Sequence, residues 1–319
     1  MTIANNIIDQ ISKHADHCSN FLVAVSGGSD SMALVDLLIN IPEYKISVAH
    51  FQHGLRPDSE QDQKVVEDFC AQHQVQVFVG YPKENPPTAN IESWARRERY
   101  GFLKKVREKE NLDCVVTAHT RDDLTELFLM RLLANKSLRS MEVFERERRL
   151  LRPLLETSKE ELSLYCAANR VPYRDDSTNF DNRFFRNKVR NQLLPVLRES
   201  FGSEVDQILN TQLKAIDQDI RFLDERVLAD LNNCVKSEWG TSGWLVEVLD
   251  LLQRSSPAVR WRYSEQLLFP KLHYRVGRKH GERLVNFFLS NAPEIELPGG
   301  FALRRRGGGI KLIKSGEPF

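Results

Sequence analysis

The chain has 319 residues, with 45 Lys and Arg against 44 Asp and Glu, so its net charge is +1. This length allows two domains with a core each, and the balanced charge by itself decides nothing about a nucleic-acid partner. The first 13 residues lack the apolar core of a signal peptide, and no long uncharged apolar run is present to cross a membrane. The five scattered cysteines form no C-x-x-C pair, which excludes the usual zinc, iron–sulfur and disulfide patterns and favours a reducing cytoplasm.

A short amphipathic helix within residues 1–20 precedes the stretch that organises the chain, residues 21–34. An apolar, β-branched run stops there at two glycines, and a Ser-Asp-Ser cluster opens a pattern of helical period, which predicts strand, tight turn and helix. Bare N–H groups at the glycines and the positive end of the helix dipole favour a di- or triphosphate. Asp30 would repel bare phosphate, so it indicates a Mg²⁺ between carboxylate and phosphate oxygens.

The sequence Ser-Gly-Gly-Ser-Asp-Ser in this turn resembles the PP-loop of the ATP pyrophosphatases. Neither the Walker nor the Rossmann glycine pattern is present. ATP pyrophosphatases split ATP into AMP and pyrophosphate and use the adenylate to activate a substrate. The resemblance therefore implies ATP as the nucleotide.

Two histidines follow the second predicted strand, which covers residues 45–51, and a third strand is predicted at 75–80. Ligands of an open parallel sheet bind at the carboxyl ends of its strands. His50 and His53 are therefore either a structural pair or neighbours of the nucleotide.

A long helix over residues 90–110 carries Arg96 and Arg99, which lie three residues apart on one face. Such arginines are either part of a solvated, salt-bridged surface or contacts for ATP phosphates or RNA.

An acidic pair follows the fourth predicted strand, which covers residues 113–118. Asp123 and Glu126 are spaced i, i+3 and project from one side of the next helix. They either interact favourably with the positive end of that helix dipole or form a binding site for a cationic substrate.

The first domain continues with a fifth strand over residues 148–155, a helix over 158–169 that opens with a capping pattern, and a basic row at Arg186 and Arg190. The basic row is spaced by one helical turn, which suits phosphate contacts. Residues 201–234 are helical throughout and predict a connector.

A smaller second domain follows the connector, with three helices and three strands at residues 294–297, 299–306 and 310–314. The glycines at 307–309 predict a hairpin turn. Three consecutive arginines before that turn suit contact with RNA.

Together these motifs resemble those of the tRNA(Ile)-lysidine synthases, and they run from one end of the chain to the other. The matching segments are 26–31, 50–56, 94–100, 117–126, 152–155, 176–195 and 297–304. The resemblance implies an α/β fold: a PP-loop (adenine nucleotide alpha hydrolase-like) domain with a five-stranded parallel sheet, a helical connector and a small α+β C-terminal domain. We expect the PP-loop catalytic domain at residues 1–200 and the connector with a tRNA-binding domain at 201–319.

The chemistry that the resemblance implies is that of an AMP-forming carbon–nitrogen ligase. ATP adenylates O2 of the wobble cytidine, position 34, in the isoleucine tRNA with a CAU anticodon. The ε-amine of free L-lysine then attacks C2 and expels AMP, which leaves lysidine. The expected partners are this tRNA and lysine, with no membrane, and a homodimer is left open.

The motifs and the resemblance together assign roles to individual residues. The expected catalytic residues are Asp30 as the Mg²⁺ ligand, Arg96 and Arg99 on the phosphates, and Asp123 and Glu126 on the amine and its proton. The expected ATP-binding residues are Ser26, Gly27, Gly28, Ser29, Asp30, Ser31, His50, His53, Arg56 and His119. The expected tRNA-binding residues are Arg186, Asn187, Arg190, Arg304, Arg305 and Arg306.

The chain departs from the family around the acidic pair. Thr120, Leu124 and Leu127 replace the usual His, Gln and Thr, and residues 134–141 replace a glycine-rich turn that would allow close backbone approach to a substrate. Another amine or another tRNA therefore stays open as the substrate.

Two further functions compete with lysine ligation. A tRNA thiolase would need a persulfide-bearing cysteine or a C-x-x-C pair near the site, and only Cys114 is expected near the core sheet, away from its carboxyl edge. A non-catalytic ATP- and RNA-binding protein would not need the three acids Asp30, Asp123 and Glu126.

Overall fold

The computed structural model describes residues 2–54, 59–87, 91–134, 136–174, 185–202, 204–272 and 277–314. Of the expected site residues, Arg56 lies outside the described residues, as does the motif at 176–179. The chain divides into two compact units, residues 1–130 with 140–210, and residues 131–139 with 211–319.

The first unit is an α/β layer structure built on one sheet. Its strands are β1 (Asn20–Val25), β2 (Lys45–Phe51), β3 (Gln76–Gly80), β4 (Cys114–Thr117), β5 (Phe144–Glu145) and β6 (Leu150–Leu151). The helices that begin in this unit are α1 (Ile3–His14), α2 (Ser29–Ile39), α3 (Ser59–Gln72), α4 (Ile91–Lys109), α5 (Arg121–Leu133), α6 (Lys159–Asn169), α7 (Phe185–Lys188), α8 (Leu194–Phe201) and α9 (Val205–Cys234).

The sheet has six strands in the order β3-β2-β1-β4-β6-β5, one more than predicted. Five of them are parallel, and the additional strand β5 pairs antiparallel with β6 at the edge. Within the predicted strand over 148–155, only Leu150–Leu151 form a strand. It ends before Pro153, which has no N–H group to donate to a strand ladder.

The centre of the sheet is β1, which pairs with β2 on one side and β4 on the other. Its residues Phe21, Leu22 and Val23 are fully buried, as expected for a parallel strand covered on both faces. The strand order reverses between β1 and β4, and the crevice at such a reversal is where open α/β sheets bind ligands. The phosphate turn follows β1 and the acidic pair follows β4, so both motifs belong to this crevice.

The second unit contains helices and a three-stranded antiparallel sheet in the order β7-β8-β9. Its elements are α10 (Ser242–Arg254), α11 (Pro257–Leu272), α12 (Gly277–Leu289), β7 (Glu294–Leu297), β8 (Phe301–Arg306) and β9 (Gly309–Lys314). The predicted hairpin turn is present: Gly307 and Gly308 both have positive φ, +56° and +82°, as a two-residue hairpin loop requires.

Within the described part of the chain, no helix is both long enough and apolar enough to cross a bilayer.

Two glycines of the first unit should respond oppositely to alanine. A Cβ on Gly80 would lie 2.6 Å from the Phe102 ring, whereas a Cβ on Gly101, inside α4, meets nothing within 4 Å. We expect Gly80→Ala to lower the free energy of unfolding by about 1–3 kcal/mol through overpacking. Gly101→Ala should raise it by about 0.5–1 kcal/mol, since glycine is a poor helix former. Denaturant unfolding measures both, and equal effects would contradict the packing of β3 against α4.

Candidate functional site

The phosphate turn lies between β1 and α2 and is closed by its own serines. The Ser31 hydroxyl donates to the Gly28 carbonyl at 2.9 Å and accepts from the Ser26 N–H at 3.2 Å. Gly27 has a φ of +94°, a conformation that favours glycine. Helix α2 begins directly after Gly28, so its free N–H groups and dipole face the turn. This geometry leaves N–H groups available to an anion, and phosphate binding at the turn stays a prediction.

The turn is braced from outside by Arg174, which the sequence analysis did not single out. Its N–H donates to the Gly27 carbonyl at 3.0 Å, and its Nε donates to Asp62 Oδ1 at 2.9 Å. A Cβ on Gly27 would approach Asp62 to 3.3 Å. No local pattern marks this brace, because Arg174 and Asp62 lie far apart in the chain.

Asp30 is at the start of α2 and carries an unusual carboxyl group. Burial raises the pKa of Asp30 to about 6, although Lys159 opposes the shift. A carboxylate that contacts Lys159 only at 3.9 Å and lies in the phosphate turn fits Mg²⁺, which binds through one or two carboxylates together with substrate phosphates. Asp30 would hold that ion, since Asp123 nearby already binds protein cations.

The raised pKa of Asp30 predicts a pH-dependent stability. The folded-state pKa of about 6 exceeds the ordinary 3.8, so the favourable contribution is complete below pH 3.8 and is lost as the pH rises through 6. Asp30→Asn should remove this loss and stabilise the protein by about 1–3 kcal/mol at pH 7, with little difference from wild type near pH 4. Unfolding of both proteins at the two pH values measures it, and a pH-independent difference would contradict it.

The expected histidines lie at the ends of β2 and β4 and are all held neutral. Burial lowers the pKa of His50, of His53 to about 4 and of His119 to about 3. His50 Nδ1 lies 3.0 Å from the Val25 carbonyl, which ties the end of β2 to the phosphate turn. His119 Nδ1 lies 2.8 Å from the Thr117 hydroxyl. Neutral imidazoles donate and accept single hydrogen bonds, which suits recognition of a polar ligand better than attraction of an anion.

Arg96 and Arg99 flank the ring of Tyr100. The guanidinium carbons lie 4.6 Å and 5.4 Å from its centroid. Burial lowers the pKa of Arg99, and the positive charges of Arg96 and Arg186 lower it further. Two like charges close together could attract an anion, and the role of these arginines on phosphates stays a prediction.

The acidic pair at the start of α5 is buried and fully engaged by cations of the same unit. Glu126, only 2% exposed, accepts from Arg186 Nε at 2.6 Å and from Arg190 Nε at 2.6 Å. Asp123 accepts from Arg186 Nη2 at 2.6 Å and from the Thr120 N–H at 2.8 Å. Lys159 completes the group, with Nζ 3.2 Å from Asp123 Oδ1.

These cations determine the protonation states of Asp123 and Glu126. Burial raises the pKa of Asp123, but Lys159, Arg186 and the Thr120 N–H outweigh it and leave a pKa of about 2. The pKa of Glu126 is likewise lowered, because its contacts with Arg190 and Arg186 outweigh burial. Both acids are therefore ionised at neutral pH, which suits them to hold a cation and makes them weak proton acceptors.

The two arginines reach the acids from a helix with a wide turn. Residues Val189–Leu193 form a π-helical turn between α7 and α8, and the Leu194 N–H donates to the Val189 carbonyl. Pro195 follows, and it cannot donate to the carbonyl four residues earlier. The π turn accommodates this missing hydrogen bond, and such turns are frequent at functional sites.

Lys159 is a second site residue, after Arg174, that the sequence analysis did not single out. It is the first residue of α6, behind the N-cap Ser158, whose capping box with Glu161 is present. A lysine at this position is at the unfavourable end of the helix dipole, which is the one sequence signal that points to it. Its Nζ also lies 3.9 Å from Asp30 Oδ2 and 3.9 Å from Glu126 Oε1, so it joins the phosphate turn to the acidic pair.

A polar cleft of about 560 Å³ opens beside this cluster. Its walls include cations and acids, namely Arg121, Asp122, Lys159, Arg190, Arg198 and Asp206. The cleft gives a small charged molecule a way to Glu126.

The residues expected to bind tRNA fall into two groups, and their role stays a prediction. Arg186 and Arg190 contact the acidic pair, and Asn187 between them is half-buried. In the second unit Arg304 pairs with Glu294. Arg305 donates to the carbonyls of Phe287, Phe288, Ser290 and Ala292 and so caps the end of α12.

The cysteine placement corrects one expectation. Cys114 is not the only cysteine near the core sheet, since Cys18, Cys70 and Cys166 are buried in the same unit. Cys166 Sγ lies 3.5 Å from the Ser29 carbonyl, behind the phosphate turn.

Comparison with known proteins finds relatives of similar sequence and a solved structure of similar fold. The chain is similar to the tRNA(Ile)-lysidine synthase of Enterococcus faecalis, 34% identical over 246 residues that make up 73% of this chain and 52% of that protein. It is 27% identical over 285 residues to the tRNA(Ile)-lysidine synthase of Nostoc sp., covering 86% of this chain and 80% of that one. The U34-tRNA thiolase of Methanococcus maripaludis shares the fold, with a TM-score of 0.55, 15% identity, and coverage of 68% of this chain and 80% of that chain.

The resemblance to tRNA(Ile)-lysidine synthases is thereby confirmed, although the chain spans only 44% to 52% of several relatives that it matches. The family model of the PP-loop domain covers residues 2–197, more than half of the chain. This protein therefore belongs to the PP-loop domain family, whose members use ATP.

Proposed function

We propose that this protein joins free L-lysine to C2 of the wobble cytidine of the CAU-anticodon isoleucine tRNA, with ATP as the activating nucleotide. The observation that carries the proposal is the position of Lys159 Nζ, within 3.9 Å of both Asp30 and the acidic pair. It means that the phosphate turn and the cation-holding acids form one contiguous site. An adenylated base and an amine must meet in such a site.

ATP would bind with its phosphates at the N-terminus of α2. The free N–H groups after Gly28 and the guanidinium groups of Arg96 and Arg99 would hold the phosphate oxygens. Mg²⁺, when bound at Asp30, supplies positive charge that offsets the phosphates.

In the first step the cytidine O2 attacks the α-phosphorus of ATP, and pyrophosphate leaves. The oxygen of a pyrimidine carbonyl is a poor leaving group, and the transfer of AMP to it makes it a good one. We assign Arg96 and Arg99 to the phosphates on which charge builds during this step, since fixed positive groups there would stabilise the transition state.

In the second step the ε-amine of lysine attacks C2, and AMP leaves with O2. A free lysine ε-amine has a pKa near ~10.4 and must first lose its proton, which passes to solvent water. The low pKa values of Asp123 and Glu126 favour a role in binding and orienting the ammonium form. The α-carboxylate of lysine could be bound by Arg121 or Arg198 in the adjoining cleft.

The reaction is tested by incubating the protein with a transcript of the tRNA, ATP and isotopically labelled lysine. We expect AMP and pyrophosphate in equal amounts and the label in the wobble nucleoside by mass spectrometry. A transcript with a different anticodon serves as the control. ADP as the sole nucleotide product, or an unlabelled modified nucleoside, would overturn the proposal.

The predicted tRNA contacts are tested in the second unit, where charge can be changed without disturbing the acidic pair. Arg304→Glu and Arg306→Glu should each flatten the salt dependence of tRNA binding, by about one unit of slope for every phosphate that the variant no longer neutralises. Arg254→Glu, on the exposed face of α10, is the matched control. If the tRNA affinity and the slope of its salt dependence equal those of the control, Arg304 and Arg306 are solvated surface residues that do not contact tRNA.

Sulfur transfer is a weaker alternative for this chain. Among the described residues, four of the five cysteines are buried, and Cys234 belongs to the second unit. Burial raises the pKa of Cys166 to about 11 and that of Cys70 to about 11, which keeps these thiols unreactive. A different amine is the second candidate substrate, since Thr120 contacts Asp123 where the family has another residue.

A further inference from the structure

The acidic pair already binds its full complement of protein cations. The acids of the cluster are Asp30, Asp123 and Glu126, and the cations are Arg186, Arg190 and Lys159. A substrate ammonium can join this balanced cluster only if one of the cations moves away.

The three cations are not held equally. Arg186 and Arg190 make close contacts of 2.6 Å through a planar fork, a geometry that strengthens the pairing. Lys159 makes one contact of 3.2 Å and two of 3.9 Å. The most loosely held cation of the cluster is therefore the lysine.

The side chain of Lys159 can also move away from the acids. Its backbone is fixed, because its N–H donates to Asp122 Oδ2 at 2.8 Å and Ser158 caps the helix. Its side chain is 31% exposed and lines the polar cleft. A flexible four-carbon stem on a fixed backbone can swing into that cleft.

We propose that the ammonium group of Lys159 occupies the place of the substrate amine in the unliganded protein, and that the substrate displaces it. A bound amine takes over the contacts with Asp123 and Glu126. Lys159 thus sets the affinity of the site for amines and is not a catalytic residue. The identity of the substrate amine rests on the proposed function, but the displacement does not.

The displacement weakens the binding of every amine. A monoamine offers only what Lys159 already supplies, whereas an amino acid with a second charged end gains contacts with Arg121, Arg198 or Asp206 in the cleft. The internal ammonium therefore leaves a monoamine weakly bound, and the contacts in the cleft set the preference for an amino acid. Its removal should lower the apparent dissociation constants of all amines by the same factor, since each competes with the same group.

The test is equilibrium binding of L-lysine and of butylamine to the full chain by calorimetry, without nucleotide or tRNA. Lys159→Met keeps the length and removes the charge. If Lys159 is in place about nine-tenths of the time, both ligands should bind this variant roughly tenfold more tightly than wild type. Lys159→Arg should restore weak binding, and Lys109→Met, an exposed lysine of α4, should bind as wild type does.

Circular dichroism checks folding, and Lys159→Gln replaces the Met variant if that variant does not fold. Unchanged binding, weaker binding, or no amine binding to either protein would overturn the displacement. Tighter binding together with an absence of lysidine would leave the displacement intact and reject the proposed function.

Discussion

Glu126→Gln should lower the free energy of unfolding and the rate of amine transfer together, and leave adenylate formation nearly unchanged. The neutral amide leaves Arg186 and Arg190 without the carboxylate to which both donate. Because Glu126 is buried while the side chains of Arg186 and Arg190 are 40% and 26% exposed, this change should cost about 1.5–3 kcal/mol, as for a hydrogen bond to a charged group. The absence of one charge-assisted hydrogen bond to the amine should reduce its use by roughly ten- to a hundred-fold.

Pyrophosphate exchange with tRNA, without lysine, reports adenylation, and lysidine formation reports the complete reaction. Asp217→Asn is the matched control, because Asp217 is a buried acid paired with Arg221 in the second unit. It should destabilise the protein without changing the ratio of the two rates. If exchange falls in step with lysidine formation in Glu126→Gln, the acids belong to the nucleotide site and their assignment to the amine is wrong.

Arg99→Met should raise the free energy of unfolding, whereas Glu126→Gln should lower it. Burial is the largest effect on Arg99, and together with the neighbouring charges of Arg96 and Arg186 it outweighs the favourable contact with Tyr100 and disfavours the charged form. Methionine keeps the apolar stem and removes the charge, so the free energy of unfolding should rise by about 1–2 kcal/mol. Pyrophosphate exchange should fall by roughly a hundredfold, as expected for a group that stabilises developing phosphate charge.

Arg107→Met is the matched control for Arg99→Met, since Arg107 lies on the same helix and pairs with Glu108. It should leave exchange unchanged. A less stable Arg99→Met protein with normal exchange would show that Arg99 serves packing. A site that is stabilised by the removal of its own functional residue is typical of the conflict between stability and activity.

The parts of the site that the sequence predicts are those that depend on local patterns. The phosphate turn follows from an apolar run, two glycines and a helix start within residues 21–34. The meeting of that turn with Asp123 follows from the rule that parallel strands end at one edge. The short strand β5 was missed because two residues, Phe144 and Glu145, show no periodicity.

The partners of the acidic pair could not be predicted in the same way. Arg186 and Arg190 meet Glu126 across 60 and 64 residues of sequence, and Lys159 comes from a third element. Their basic spacing is equally typical of an RNA-binding surface, and only the three-dimensional fold brings them to carboxylates. Long-range ion pairs leave no periodic trace in a sequence.

The π turn at Val189–Leu193 constrains how this region can change in evolution. Each residue of a helix turns the chain by roughly 100°, so an insertion or deletion here would rotate Arg186 away from Asp123. Buried Leu194 beyond the turn would stay fixed in its core cluster. Substitutions at exposed positions of the turn keep the direction in which Arg186 projects from the helix, whereas changes in length do not. The number of residues between Arg186 and Leu194 is therefore a stricter requirement than the identity of most of them.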